Sequence, residues 1–213
     1  MPDEEPQSLV VYTIGHSNVA LEALLALLAR HEISLLADVR SAPYSRYVPH
    51  FNRPSLEVAA RQAGIGYRFM GDTLGGRPQG DEYYDAERHV FYSRVARADW
   101  FQRGIAQLRE LAGRERVVVL CGEEDPAGCH RRLLVGRVLA REGALLRHIR
   151  GDGHIEEERA VAIDVPPPSL WDDPSEAAAR EREEQAWRSI RPVSRTPAPS
   201  DSSSGSATPA SGD

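Results

Sequence analysis

Five short apolar runs, separated by helix-patterned segments, constrain this chain more than anything else in it. Leu9 to Ile14, Ile33 to Val39, Tyr67 to Met70, Val117 to Cys121 and Ala144 to Ile149 are apolar, often β-branched, and too short for helices. Between them, residues 20–31, Pro54 to Ala63, 99–112 and Cys129 to Glu142 carry apolar residues at helical spacing, several ending at glycine. Residues 87–98 read as one more helix, and Arg40 to Arg53 and Gly71 to Asp85 as long loops. Strands alternating with helices make βαβ units, and these make a mostly parallel sheet flanked by helices. The expectation is a single Rossmann-like α/β domain over residues 8–165. Taking strand order 3-2-1-4-5, the loops after strands one and four flank the switch point where open sheets bind ligands.

Beyond Val165 the pattern changes. A proline break opens residues 166–190. Asp173-Pro174-Ser175-Glu176 then offers an N-cap, an N1 proline and an N3 acid for a charged helix. From 191 to 213 Ser, Pro, Ala and Gly dominate, which predicts a disordered tail. The acidic excess also lies at the ends. Residues 9–165 carry 21 acids and 21 arginines, so the net charge of −6 belongs to the terminal segments. Net zero over the domain argues against an extended duplex-binding face.

Every basic residue apart from histidine is arginine, which excludes a Schiff-base lysine or a Walker-type phosphate lysine. Two cysteines in 213 residues exclude a disulfide scaffold, and the thiols are read as reduced. The start, Met1-Pro2-Asp3-Glu4-Glu5, lacks the basic and apolar regions of a signal peptide, and no apolar run reaches the ~18 residues of a membrane span. A cytoplasmic protein with no membrane partner is the expectation.

The reactive side chains collect at the carboxyl ends of the strands. Strand one runs into Gly15-His16-Ser17-Asn18, strand two into Asp38-Val39-Arg40, strand three into Leu74-Gly75-Gly76-Arg77, and strand four into Cys121-Gly122-Glu123 and Cys129-His130-Arg131. These motifs, with Pro43, Ser45, Arg46 and Pro126, resemble the domain of unknown function family 488 over about residues 10–150. The resemblance implies an α/β fold and leaves the reaction open.

Several readings of these residues compete. Cys121 suits either a small apolar strand end or a nucleophile. Cys129, at the start of a predicted helix beside His130, Arg131 and Arg132, is the stronger candidate for an activated thiol, because helix N-termini and cations lower a thiol pKa. The strand–Cys–loop–Arg–helix order resembles cysteine phosphatases and rhodaneses. Here, however, nine residues separate Cys121 from Arg131, and Glu123, Glu124 and Asp125 would repel a phosphate in that loop. No cofactor is required. Zn or Fe remains open from the ligand types alone, against the spacing and against adjacent Cys129 and His130 pointing apart on a helix. His16 reads as a general base or anion donor, with Ser17 or Asn18 as a helix cap, and Asp38 as a buried acid paired with Arg40 or an acid–base group.

Residues 40–77 hold six arginines against two acids, interleaved with Tyr44, Tyr47, Phe51, Tyr67 and Phe69. Such a mixture suits phosphate contact and base stacking. The sequence therefore predicts an enzyme with His16, Asp38, Cys121, Glu123 and Cys129 as catalytic groups. Ser17, Arg40, Ser45, Arg46, Gly75, Gly76, His130 and Arg131 would bind a small anionic ligand or a short nucleic-acid segment, with Arg77 as a further candidate. The alternatives are a non-catalytic nucleotide or nucleic-acid binding module and a metal-stabilised structural domain. Asp81 to Asp85 reads as a lid over the crevice.

Overall fold

The structure, a computed structural model, describes residues 8–163, 165, 173 and 175–193. The proline break at 166–168 and residues 194–213 of the expected tail lie outside the described residues. Six strands form one sheet: β1 (Val10–Gly15), β2 (Leu35–Asp38), β3 (Gly66–Phe69), β4 (Val117–Cys121), β5 (Leu145–Ile149) and β6 (Ile155–Glu158). The first five are parallel, and β6 pairs antiparallel with β5. Helices α1 (Leu21–Arg30), α2 (Arg53–Gln62), α3 (Gly71–Leu74), α4 (Tyr92–Arg97), α5 (Asp99–Ala112), α6 (Arg137–Arg141) and α7 (Glu176–Ala186) complete it, with a π-helical stretch at Arg131–Gly136 leading into α6. No helix among the described residues is long and apolar enough to cross a membrane.

The strand order is β3-β2-β4-β1-β5-β6, which corrects the expected 3-2-1-4-5. β4 enters between β2 and β1 and pairs with both. The carboxyl ends of β1, β4 and β2 are therefore contiguous, with Gly15 opposite Cys121 and Asp38 opposite Leu120. Strand order depends on which crossovers pack best, and a list of strands does not contain that information.

Alternation along each strand divides the core in two. Val117 and Val119 face a cluster with Phe101, Ile105, Leu134 and Val138, while Val118 and Leu120 face one with Leu24, Leu28, Leu56 and Ala60. Period 2 then turns Cys121 to the face of Val117 and Val119, where the chain from Cys129 into α6 also packs.

Three local expectations change. Residues 87–91 are not helical: Val90 bridges to Tyr84, and Phe91 to Arg188. Ala20, not Ser17 or Asn18, is the N-cap of α1. Ser175 caps α7, its Oγ accepting from the Ala178 amide at 3.3 Å, while Asp173 accepts from the Ser175 amide at 2.8 Å. After α7 the chain docks onto the domain. Trp187 is 4% exposed within the first cluster, and its Nε1 donates to the Leu133 carbonyl at 2.7 Å. Part of what the sequence assigns to the extensions thus belongs to the core.

Burial of this indole predicts that Trp187→Ala lowers stability by about 3–5 kcal/mol. A falling urea midpoint on equilibrium unfolding is the expected result, and an unchanged midpoint would show that residues 187–193 do not dock.

Candidate active site at the strand carboxyl ends

A cavity of about 380 Å³ opens beyond β1, β2 and β4. Backbone pairing continues past the strands and shapes its floor. The His16 amide donates to the Cys121 carbonyl at 3.0 Å and the Ser17 amide to the Gly122 carbonyl at 2.8 Å. Gly15 is required here, since a Cβ would overlap the Glu123 carbonyl. Of the sequence-predicted residues, His16, Arg40, Ser45, Gly76, Cys121, Glu123, Cys129 and His130 line this cavity. Asp38, Ser17, Arg46, Gly75 and Arg131 do not.

One wall is a relay of buried polar groups. Asp38 is fully buried, and its carboxylate accepts from the Arg40 amide, from Arg40 Nε and NH2, and from Tyr67 Oη. The remaining Arg40 nitrogen, NH1, donates to the Phe51 carbonyl at 2.8 Å and to His16 Nε2 at 3.1 Å. A guanidinium cannot accept, so His16 Nε2 must. His16 Nδ1 lies 2.7 Å from the Ser17 carbonyl and therefore carries the proton. Burial first, and the Arg40 charge second, hold the His16 pKa below its ordinary value. This histidine is a neutral imidazole stacked on Phe51, with ring centroids 4.3 Å apart. Asp38 is linked to His16 through the Arg40 guanidinium.

The second wall carries the thiols. His130 Nε2 lies 3.1 Å from the Val39 carbonyl, which obliges it to donate and turns Nδ1 toward sulfur. Nδ1 is 3.5 Å from Cys121 Sγ and 3.9 Å from Cys129 Sγ. A hydrogen bond from the Cys129 thiol, then the His130 charge, bring the Cys121 pKa well below its ordinary value despite burial. Burial, the largest single cause, would depress His130, but the Cys121 charge, the hydrogen bond to Cys121 and the bond to the Val39 carbonyl together raise its pKa. Cys129 moves the opposite way: its bond to Cys121 and its burial push it well up. These directions favour the charge-separated pair, thiolate at Cys121 and protonated His130, with Cys129 as the donor. Of the two, Cys129 is the stronger candidate from sequence, whereas in the structure the lowered pKa belongs to Cys121. Gly76 permits the arrangement, because a Cβ there would lie 2.6 Å from the His130 ring.

Arg131 is 1% exposed and donates to the carbonyls of Glu123 and Glu124, so it shapes the loop after β4. The acidic loop is less repulsive than its sequence implies. Arg150 takes the Glu124 carboxylate at 3.0 Å and approaches Asp125 at 3.6 Å, leaving only Glu123 to line the cavity. The arginine-rich stretch is likewise dispersed. Arg46 stacks on exposed Tyr47, Arg53 on Phe69, and Arg61 pairs with Glu57. Ser17 has φ +47° and its Oγ donates to Asn18. The Asp81–Asp85 segment does not line the cavity, which corrects its reading as a lid; Asp85 instead holds His89 and Arg188.

Sequence reasoning missed Tyr92, Ser189, Arg191 and Val193 in the lining. Tyr92 looks like a core aromatic in sequence. Burial, with negative charge nearby at Cys121 and Glu123, keeps it a phenol.

Among the described residues, two groups of side chains have donor atoms within 4.8 Å of one another and so could hold a metal: Cys121, Cys129 and His130, and Asp85, Glu87 and His89. The first group overturns the expectation that adjacent Cys129 and His130 point apart.

A family model described as Domain of unknown function DUF488 matches residues 20–138. No curated protein and no solved structure matches the chain.

A thiolate held by this hydrogen bonding should remain reactive below the ordinary thiol range of ~8.5. Alkylation of Cys121 by iodoacetamide is expected to stay fast as pH falls through that range. His130→Ala and Cys129→Ala should each move the profile up by roughly 1–3 pH units. A Cys121 profile centred at the free-thiol value in the unsubstituted chain would contradict the assignment.

Proposed function

We propose that this chain, which belongs to the DUF488 family, is an enzyme that uses Cys121 as a nucleophile on a small anionic substrate. The observation that carries this reading is the 3.5 Å approach of His130 Nδ1 to Cys121 Sγ inside the cavity, with the Val39 carbonyl setting the ring orientation. Thiolates rather than thiols attack electrophiles, and a neighbouring imidazolium is a usual way to keep one available near neutral pH. Cys129 holds the sulfur by donating to it. Glu123 is the exposed carboxylate at the cavity and the candidate acid–base group. His16, held neutral by burial and by Arg40, lies beside it. A volume of about 380 Å³ suits a small molecule or one nucleotide-sized group rather than a duplex.

One specific observation favours a second reading. Cys121, Cys129 and His130 form a two-thiolate, one-imidazole ligand set, and the far nitrogen of His130 is bound to a backbone carbonyl, as in metal-ligating histidines. These three residues would hold a zinc, which would supply Lewis-acid chemistry beside the cavity. The two readings use Cys121 in exclusive ways.

Covalent capture separates them. The full chain would be incubated with nucleotides and other small anionic electrophiles, quenched in acid, and measured by intact-mass spectrometry alongside elemental analysis of the untreated protein. An adduct mapping to Cys121, lost in Cys121→Ser while equilibrium ligand affinity stays within about 3-fold, is the expected result. Binding with no adduct would leave a non-catalytic binding module. Stoichiometric zinc with an unreactive Cys121 would establish the metal reading.

A further inference from the structure

Among the described residues, three arginines line the cavity, opposed by the carboxylate of Glu123, and they are not equivalent. Arg40 is neutralised by Asp38 at 2.6 Å and spends its other donors on the Phe51 carbonyl and His16. Its charge is committed to the fold. Arg77 and Arg191 are exposed, and among the described residues neither side chain has an ion-pair or hydrogen-bond partner. Two unneutralised guanidinium groups on one concave surface repel each other unless an anion lies between them.

The backbone of both arginines is held in place. The Arg77 amide donates to Ser41 Oγ at 3.0 Å, and Ser41 also lines the cavity. Arg191 arrives on the segment after α7, which is anchored along its length. Trp187 packs under the Arg137 and Arg141 guanidinium groups at 4.7 and 4.9 Å. The Ser189 amide donates to the Val90 carbonyl at 2.9 Å, and Ser189 Oγ accepts from the Val90 amide at 2.9 Å. The same hydroxyl donates to the Arg191 carbonyl at 2.8 Å, and the Val193 amide bonds the Arg88 carbonyl at 2.9 Å. Ser189 is 4% exposed, so this is a buried clamp with Arg191 directly beyond it.

We propose that Arg77 and Arg191 form an oxyanion-binding subsite, and that the C-terminal segment 187–193 supplies half of it. The proposal rests on the thiol reading for its purpose: the substrate would carry its electrophilic centre at Cys121 and a separate carboxylate or phosphate at the two arginines. The segment lies outside residues 20–138, so the subsite is completed by a part of the chain that the family match does not cover. Guanidinium donors match either oxyanion in a two-pronged geometry, and the shared requirement is a compact anionic group.

The test compares alkylation of Cys121 in the full chain by iodoacetate, an anion, and by iodoacetamide, its neutral counterpart. The ratio of the two rates is expected to exceed that of free cysteine in the same buffer. It should fall about 3-fold in Arg77→Ala and again in Arg191→Ala, the size of effect expected from losing one nearby charge in near-aqueous screening. Arg191→Lys should keep most of the ratio, Glu123→Gln should raise it, and added NaCl should lower it. Calorimetric titration of inorganic phosphate and of acetate reads the subsite without the thiol. Tighter phosphate binding that weakens in both Arg→Ala variants assigns a phosphate group, and tighter acetate binding with the same dependence assigns a carboxylate. Loss of binding in both variants beside an inert Cys121 would keep the subsite and remove the thiol reading. A ratio and anion binding unaffected by both substitutions would overturn the subsite.

Discussion

The buried ion pair between Asp38 and Arg40 is the interaction on which the site depends. Asp38 has no exposure to solvent, and a lone carboxylate there would carry a desolvation cost of several kcal/mol. The Arg40 guanidinium meets it through two nitrogens, and Tyr67 and the Arg40 amide add further donors. This geometry leaves NH1 for the Phe51 carbonyl and His16, so one ion pair ties the ends of β1 and β2 to the loop before α2. Removing one partner of such a pair costs about 3–5 kcal/mol, because the other is left buried and uncompensated. The pair accounts for a neutral histidine beside a guanidinium, which at the surface would be an unremarkable contact.

Against that wall the sulfur chemistry is set by asymmetry. Two thiols and one imidazole share a small space, and only one thiolate can be accommodated there. Val39 decides which face of His130 meets sulfur, and of the two thiols it is Cys121, at the end of a strand and beside the cavity, whose pKa is lowered. Cys129, 2% exposed, remains a donor. The same economy governs the cations. Arg131 is consumed by loop carbonyls, Arg150 by Glu124, and Arg40 by Asp38, which leaves Arg77 and Arg191 to face solvent across the cavity.

Much of the sheet was legible because its signal is local. Val117 to Cys121 is an unbroken apolar run, and the structure makes it a strand with those limits. β6 was not legible, since Ile155-Glu156-Glu157-Glu158 is mostly acid. It is a strand because Glu157 and Glu158 pair with Arg147 and Arg132 from neighbouring elements. Residues 87–91 looked helical until Val90 and Phe91 found partners at Tyr84 and Arg188. In each miss, contacts distant in sequence overrode local pattern.

The sequence by itself determined that the chain builds an α/β sheet and that its cysteines, histidines and acids gather where strands end, because hydrophobic period and chain direction are local properties. Tertiary structure alone decided that β4 lies between β1 and β2, and with it that Cys121 meets His130. It also decided that Asp38 is spent on Arg40 and that Arg191, far along the chain, completes the rim. Those outcomes turn on which buried donors, acceptors and charges find one another. Burial makes an unpaired polar group costly, and only the packed fold specifies the pairs.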